Sequence, residues 1–117
     1  DPDRAFKTLV TRGKSGGYYV FVIPVNAELD LKKAAKASGE KAVEMIHQKE
    51  LLPLSGYVHG GCSPLGMKKP FRTFIHETAI LYDTICVSAG KVGFQIELSP
   101  DDLAETVGCG FADVASE

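Results

Sequence analysis

Lys7 stands between Phe6 and Thr8 in a run of strand-forming residues, Ala5 to Arg12. A lysine in a partly buried strand costs free energy unless its charge is paired, so its position needs a reason. The commoner reason is an edge-strand lysine that blocks aggregation. A second candidate is the glycine pair Gly60-Gly61. Glycines let a backbone approach a ligand closely, and their N–H groups can hold an anion or a developing oxyanion. A plain turn is the commoner use of such a pair. The loop is neither a GxGxxG fingerprint nor a Walker loop, because no Gly-Lys-Ser/Thr follows. Lys68, Lys69 and Arg72 lie just beyond it. They could meet phosphates or form a solvated basic surface. Ser88, followed by Ala89-Gly90-Lys91, could line a pocket or end its strand by bonding its own backbone. No G-x-S-x-G elbow and no distinct Ser–His–Asp order suggests a hydrolase triad. Of the cysteines, Cys62 in the glycine loop is the one placed near a site and the runner-up candidate for a nucleophile, while Cys86 and Cys109 read as core. His47, His59 and His76 share no metal-ligand spacing, and no metal is expected.

The elements that must position these residues are legible from pattern. Ala5 to Arg12 and Tyr18 to Val25 read as strands joined by the turn cluster Gly13 to Gly17. The second strand is apolar on both faces and should lie deep in the sheet, with a bulge or strand end at Pro24. Asp30 caps a helix that runs to about Ser38 and ends at Gly39. Leu31, Ala34 and Ala35 form its expected buried stripe; Lys32, Lys33 and Lys36 face water. Ala42 to Met45 reads as a short strand, and Gln48 to Leu52 as a short helix stopped near Pro53. Gly56 to Gly66 is rich in breakers and should be loop. Phe71 to Ile75 alternates as a strand, and Glu77 to Leu81 fits one helical turn. In Thr84 to Ser88, Ile85 and Val87 share one face and Thr84, Cys86 and Ser88 the other. Phe94, Ile96 and Leu98 alternate with polar residues as in a half-buried strand. Ser99, Pro100, Asp101 and Asp102 open a helix whose core residues are Leu103 and Val107. Phe111 to Val114 reads as a last short strand. Strands dominate and helices interrupt irregularly, so the fold class is α+β around a mixed sheet.

Composition bounds the rest. The chain has 117 residues, 44% hydrophobic and 24% charged, which fits one globular domain. That excludes a collagen-like chain, a long disordered tail and a multi-domain enzyme. No apolar run approaches the roughly 18–20 residues of a membrane helix, and no signal-peptide pattern opens the chain. Three widely spaced cysteines argue against a disulfide scaffold or zinc site and fit a reducing, cytoplasmic setting. Net charge is -2, against indiscriminate nucleic-acid binding. Yet residues 1–91 hold all 13 Lys and Arg, and residues 92–117 hold no base. A basic body with an acidic end permits a local phosphate-binding face.

Taken together, several motifs resemble the YbaK/EbsC-type aminoacyl-tRNA deacylases. They are Phe6-Lys7-Thr8-Leu9, Lys32-Lys33-Ala34-Ala35, Val43-Glu44-Met45, Ser55-Gly56-Tyr57, the loop from Gly60 through Pro64 to Lys69, Val87-Ser88-Ala89-Gly90-Lys91 and Ile96-Glu97-Leu98. The resemblance runs almost end to end. It implies a mixed, partly closed six-stranded sheet with peripheral helices, shared with the editing domain of prolyl-tRNA synthetases. It implies trans-editing hydrolysis of mischarged aminoacyl-tRNA, above all Cys-tRNA(Pro), beside prolyl-tRNA synthetase, with no cofactor, membrane or DNA. Alternatives are another amino acid, such as Ala-tRNA(Pro), or a non-catalytic module binding tRNA or the synthetase. The family's essential lysine falls on Lys7, its loop on Gly60 to Pro64 and its pocket serine on Ser88. Catalytic roles then fall to Lys7 and Gly60, and substrate binding to Gly61, Ser63, Pro64 and Ser88. Lys68, Lys69 and Arg72 would touch the acceptor stem. For this family the nucleophile is proposed to be the substrate's own thiol, which would leave the enzyme to position it. Members usually begin a few dozen residues before the Lys7 strand, so the chain is expected to lack that N-terminal segment. His59, His76 and Val92 depart from the family's usual residues.

Overall fold

Two strands are long enough to organise everything else. The computed structural model describes residues 4–116. In it, β1 (Phe6–Gly13) and β2 (Tyr18–Pro24) form an antiparallel hairpin, with Lys7 opposite Ile23 and Thr8 opposite Val22. Val20, Phe21, Val22 and Ile23 are completely buried, as their unbroken apolar run requires for a strand covered on both faces. Each such side chain contributes about 1.5–3 kcal/mol of burial free energy.

The remaining strands extend this pair into a mixed sheet. β3 (Glu28–Leu29) leads into α1 (Leu31–Ser38); then come β4 (Val43–Met45), α2 (Gln48–Ser55) and β5 (Arg72–His76). After a 3-10 turn at Glu77–Leu81 follow β6 (Ile85–Ser88), β7 (Gln95–Leu98), α3 (Pro100–Val107), β8 (Gly110–Ala112) and β9 (Ala115–Ser116). The main sheet has the order β4-β1-β2-β5-β8. β4 and β2 run antiparallel to β1, while β5 and β8 are parallel additions. β3 pairs with β9, and β6 with β7.

The fold is thus α+β with a mixed sheet. The sixth strand of the expected closure is β6, which joins through a single parallel bridge, Ala5 to Cys86, rather than a full ladder. β4 pairs only with Thr11 to Gly13, so the Phe6–Val10 edge of β1 is left for the β6–β7 hairpin to approach.

Three apolar clusters place the layers. Phe21 and Ile23 pack with Ala34, Ala35 and Val114 on the α1 side. Phe6, Val22, Ile75, Ile85, Val87 and Leu103 gather under the hairpin and α3. Val10 and Val20 meet Leu51 and Cys62 beneath α2 and the glycine loop.

Three expectations are corrected. Leu31 is 42% exposed; the buried stripe of α1 is Ala34, Ala35 and Ser38, whose hydroxyl donates to the Ala34 carbonyl at 2.8 Å. α2 passes through Pro53 to Ser55. A proline costs a helix its own N–H bond, and this helix offsets the loss at its end. There Ser55 Oγ donates to Leu51 O at 2.6 Å and the Gly56 N–H to Leu52 O at 2.9 Å. Lastly, Phe94 and Ile96 are exposed rather than half-buried, at 64% and 37%. β6 takes the core positions with Ile85 and Val87, and β7 pairs with β6 alone.

Candidate active site

The free edge of β1, the hairpin β6–β7, the β4–α2 junction and the glycine loop enclose a cavity of about 470 Å³. Lys7, Gly60 and Ser88 all line it. Three residues far apart in sequence, singled out for chemistry, therefore meet in one place. Lys7 is half-buried, yet it makes no hydrogen bond or ion pair with any described residue. Three other cations near the sheet are paired with carboxylates: Arg12 with Glu50 at 3.1 Å, Lys33 with Asp113 at 3.1 Å and Arg4 with Glu97 at 2.5 Å. No carboxylate is among the described residues that line the cavity. An uncompensated ammonium in a half-enclosed space attracts whatever carries or develops negative charge there.

The loop shapes one wall. Gly60 adopts φ +83°, a conformation that favours glycine. Its N–H makes no hydrogen bond among the described residues, whereas the Gly61 N–H is spent on Val58 O at 3.0 Å. Gly61 serves a different need. A Cβ there would lie 3.1 Å from Val92 N and 3.3 Å from the Lys91 carbonyl carbon. A side chain there would push the loop and the hairpin turn apart by a few tenths of an ångström.

Ser88 Oγ accepts from the Gly90 N–H at 3.2 Å, keeping its own proton for a ligand. Gln95 lies opposite Ser88 across the hairpin, and it too lines the cavity. Sequence reasoning passed over Gln95 as an ordinary polar residue of an alternating strand. Drawing the hairpin register from Ser88 through the Ala89–Gly93 turn would have found it. His59 and Thr8 also line the cavity.

Cys62 lines the cavity but is 7% exposed, and burial pushes its thiol up to about 11. At neutral pH it is a protonated thiol, unsuited to nucleophilic attack.

The other sequence candidates lie elsewhere. Ser63 is buried and its Oγ accepts from the Leu65 N–H at 3.2 Å. Pro64, Lys69 and Arg72 border a separate depression of about 340 Å³ beside the end of α3. The Arg72 guanidinium lies over the rings of Phe74 (5.2 Å) and Tyr19 (6.0 Å) and donates to Ser38 O at 3.3 Å. Lys68 is exposed, and its backbone N–H holds Ser55 O at 3.0 Å. The histidines are dispersed: the His47 N–H donates to Glu50 at 2.9 Å, and His76 Nδ1 accepts from the Val114 N–H at 3.2 Å.

The cavity can bind, orient and stabilise charge. It offers a cation, an unspent backbone N–H, hydroxyls, amides and the His59 imidazole, with neither an activated thiol nor a carboxylate in its lining. A mixed sheet approached by a hairpin over such a cavity defines an α+β domain with a single cationic group set in its main cavity. The family model for the aminoacyl-tRNA editing domain matches residues 1–106. A curated Enterococcus faecalis protein is 54% identical over 114 residues, covering 97% of this chain and 70% of the relative. It is named as a candidate Cys-tRNA(Pro)/Cys-tRNA(Cys) deacylase, EbsC. The chain belongs to the aminoacyl-tRNA editing domain family. Among solved structures, a hypothetical protein superposes with a TM-score of 0.91 at 25% identity, over 99% of this chain and 77% of the other. A candidate trans-editing enzyme for prolyl tRNA synthetase superposes at 0.89 with 24% identity, over 100% and 73%, and shows the same fold.

Proposed function

We propose that this chain is a trans-acting deacylase that clears cysteine esterified to tRNA(Pro), beside prolyl-tRNA synthetase. The observation that carries the reading is the unpaired Lys7 ammonium in a cavity shared with Gly60 and Ser88. The name of the Enterococcus faecalis relative, at 54% identity, supports the choice of substrate.

The lining offers no strong protein nucleophile, which favours attack by the substrate's own thiol. Its sulfur bonds to the ester carbonyl carbon, the bond from that carbon to the ribose oxygen breaks, and the thiol proton passes to the departing oxygen. The products are a free tRNA 3′ end and a cyclic thioester, which water then opens. The protein's part is orientation and charge stabilisation. The Gly60 N–H faces the developing oxyanion. Lys7 holds the 3′-terminal phosphate or adenosine and favours the negative transition state. Ser88 supports the same end of the substrate. Lys68 and Lys69 stay available for the acceptor stem, while Arg72 is largely committed to its own rings.

The test is deacylation of tRNA(Pro) charged in turn with cysteine, alanine and proline, with wild type and Lys7→Ala. Loss of cysteine about 100-fold slower in the variant, with proline spared by both, is the expected result. Unchanged cysteine release by Lys7→Ala would refute the assignment of Lys7. Binding without release from any substrate would make the chain a tRNA-binding module.

A further inference from the structure

Five consecutive residues of β1, Phe6 to Val10, line the cavity. Successive side chains of a strand point to opposite faces of its sheet. A cavity lying over one face would touch every second residue. One that touches all five opens on the strand's edge, where the main-chain N–H and C=O groups lie.

The ladders show which of these groups are open. The Val25 N–H donates to Ala5 O at 2.9 Å and the Gly13 N–H to Gly17 O at 2.7 Å, both in the register that sets Lys7 opposite Ile23. In an antiparallel pair every second residue exchanges bonds with the partner strand. Ala5, Lys7, Leu9, Thr11 and Gly13 therefore bond to β2, while Phe6, Thr8, Val10 and Arg12 turn their main-chain groups to the other edge. β4 takes up part of that edge. The Lys14 N–H donates to Ala42 O at 2.9 Å, Arg12 lies opposite Glu44, and the Ile46 N–H reaches Val10 O at 3.5 Å. The next bonded place in this ladder is Thr8, opposite Gln48. There the chain leaves the sheet, because Gln48 opens α2. β6 does not fill the place, since its bridge to β1 joins Ala5 and Cys86. The Thr8 N–H and C=O thus have no hydrogen-bond partner among the described residues. The buried Thr8 hydroxyl takes no part.

An open N–H and C=O on one strand residue fit a group that carries an acceptor and a donor at the spacing of another residue's backbone. The aminoacyl end of a charged tRNA is such a group, with an ester carbonyl and an α-amino group. No carboxylate is among the described lining residues, so the α-amino group has to be met by neutral oxygens. Burying it unmet is costly.

We infer that the open edge of β1 at Thr8 is the aminoacyl subsite, where the substrate's α-amino group donates to Thr8 C=O and its ester carbonyl accepts from Thr8 N–H. The amino acid completes the β4–β1 ladder as a single added residue. This inference rests on the deacylase reading above. The ester carbonyl keeps its second lone pair for the Gly60 N–H. The edge reads an α-amino acid ester, and the choice of cysteine is left to the thiol's own reactivity. A substrate residue running antiparallel to β1 has its nitrogen toward Ile46 and His47, so an acyl group on that nitrogen meets the chain. The substrate class is therefore esters of amino acids with a free α-amino group, to the exclusion of N-acylated ones.

Two measurements test it. Amide hydrogen exchange of the chain is followed by NMR, free and with 3′-deoxy-3′-(cysteinylamino)adenosine, an uncleavable stand-in for the charged end. In the free protein the Thr8 N–H should exchange about tenfold faster than those of Lys7 and Leu9, and the bound compound should slow it by about tenfold. A free-protein Thr8 amide as protected as its neighbours would overturn the inference, as would a bound compound that leaves its exchange unchanged. Separately, kcat/KM is compared for tRNA(Pro) carrying cysteine, 3-mercaptopropionate or N-acetylcysteine, each divided by that ester's spontaneous hydrolysis. Both analogues keep the thiol and the ester, and both should fall by about 10- to 100-fold. Removing the ammonium relieves repulsion from Lys7, so the loss with 3-mercaptopropionate cannot come from charge. Undiminished turnover of either analogue would overturn the inference. A cysteine ester left intact by wild type would refute the deacylase reading instead, while Thr8 exchange would still report whether the edge is open.

Discussion

Lysine and cysteine divide the chemistry of the cavity between them, one charged and available, the other buried and silent. If Lys7 acts through charge, Lys7→Arg should keep part of the activity, since a guanidinium carries the same charge in a wider, planar form. Lys7→Met should lose nearly all of it, as Lys7→Ala does. Cys62 should behave oppositely. Its thiol is 7% exposed and held near 11 by burial, so little thiolate exists at pH 8. Iodoacetamide should label Cys62 in the native protein at least tenfold more slowly than in urea-unfolded protein, followed by peptide mass spectrometry. Rapid native labelling would show an open, activated thiol and restore Cys62 as a nucleophile. The sequence marked Lys7 because a lysine amid strand formers has to be explained.

Among the elements, the contact between glycine loop and hairpin turn sets how closely the Gly60 wall of the cavity approaches the hairpin that carries Ser88 and Gln95. Gly61 sits against the backbone of Lys91 and Val92, and backbone gives way less readily than a side-chain tip. Gly61→Ala is expected to destabilise the fold by about 1–3 kcal/mol, as overpacking does. It should also lower deacylation more than stability alone explains, because the wall bearing Gly60 moves relative to Ser88 and Gln95. Thermal melts beside kcat/KM at a temperature where the variant stays folded would separate the two effects. A stable variant with full activity would show that the loop need not be so close. This contact also shows the limit of reading from pattern. The breaker-rich loop and the strand ending at Ser88 were both legible as elements. Their meeting was not, since it depends on β4 covering only one end of β1 and leaving the other to the hairpin. Alternation likewise implied a buried face for Phe94 and Ile96. No layer among the described residues covers β7, so the alternation survives without the burial.

Across the whole molecule, three glutamates, Glu97 exposed and Glu40 and Glu50 half-buried, clamp segments that the sheet alone leaves loosely tied, and they set how the fold meets acid. Glu97 accepts hydrogen bonds from Thr84 and Arg4, tying the start of β1 to the hairpin over the cavity. Glu50 accepts from the His47 N–H and from Arg12, joining α2 to β1. Glu40 accepts from the hydroxyls of Ser15 and Tyr19 at 2.5 Å, pinning the β1–β2 turn to the end of α1. Each carboxyl is held below its ordinary value. The foremost causes are the Thr84 hydroxyl for Glu97, the His47 N–H for Glu50 and the Ser15 hydroxyl for Glu40. A folded-state value below the unfolded one means the folded chain releases its protons more readily. The stabilisation is therefore complete above the unfolded carboxyl value of 4.5 and disappears as pH falls through the lower folded values. Melting temperature should be flat with respect to these groups from pH 7 to 5 and decline below about 4.5. Glu97→Gln should melt lower than wild type at pH 7 and converge with it as pH falls below 4.5 and through the lower folded value, where the wild-type carboxyl takes up its proton. Because that clamp holds the hairpin over Lys7, the same variant should lose deacylation at pH 7 before it loses its fold. Parallel curves for Glu97→Gln and wild type down to pH 3 would show that Glu97 does not clamp the cavity shut.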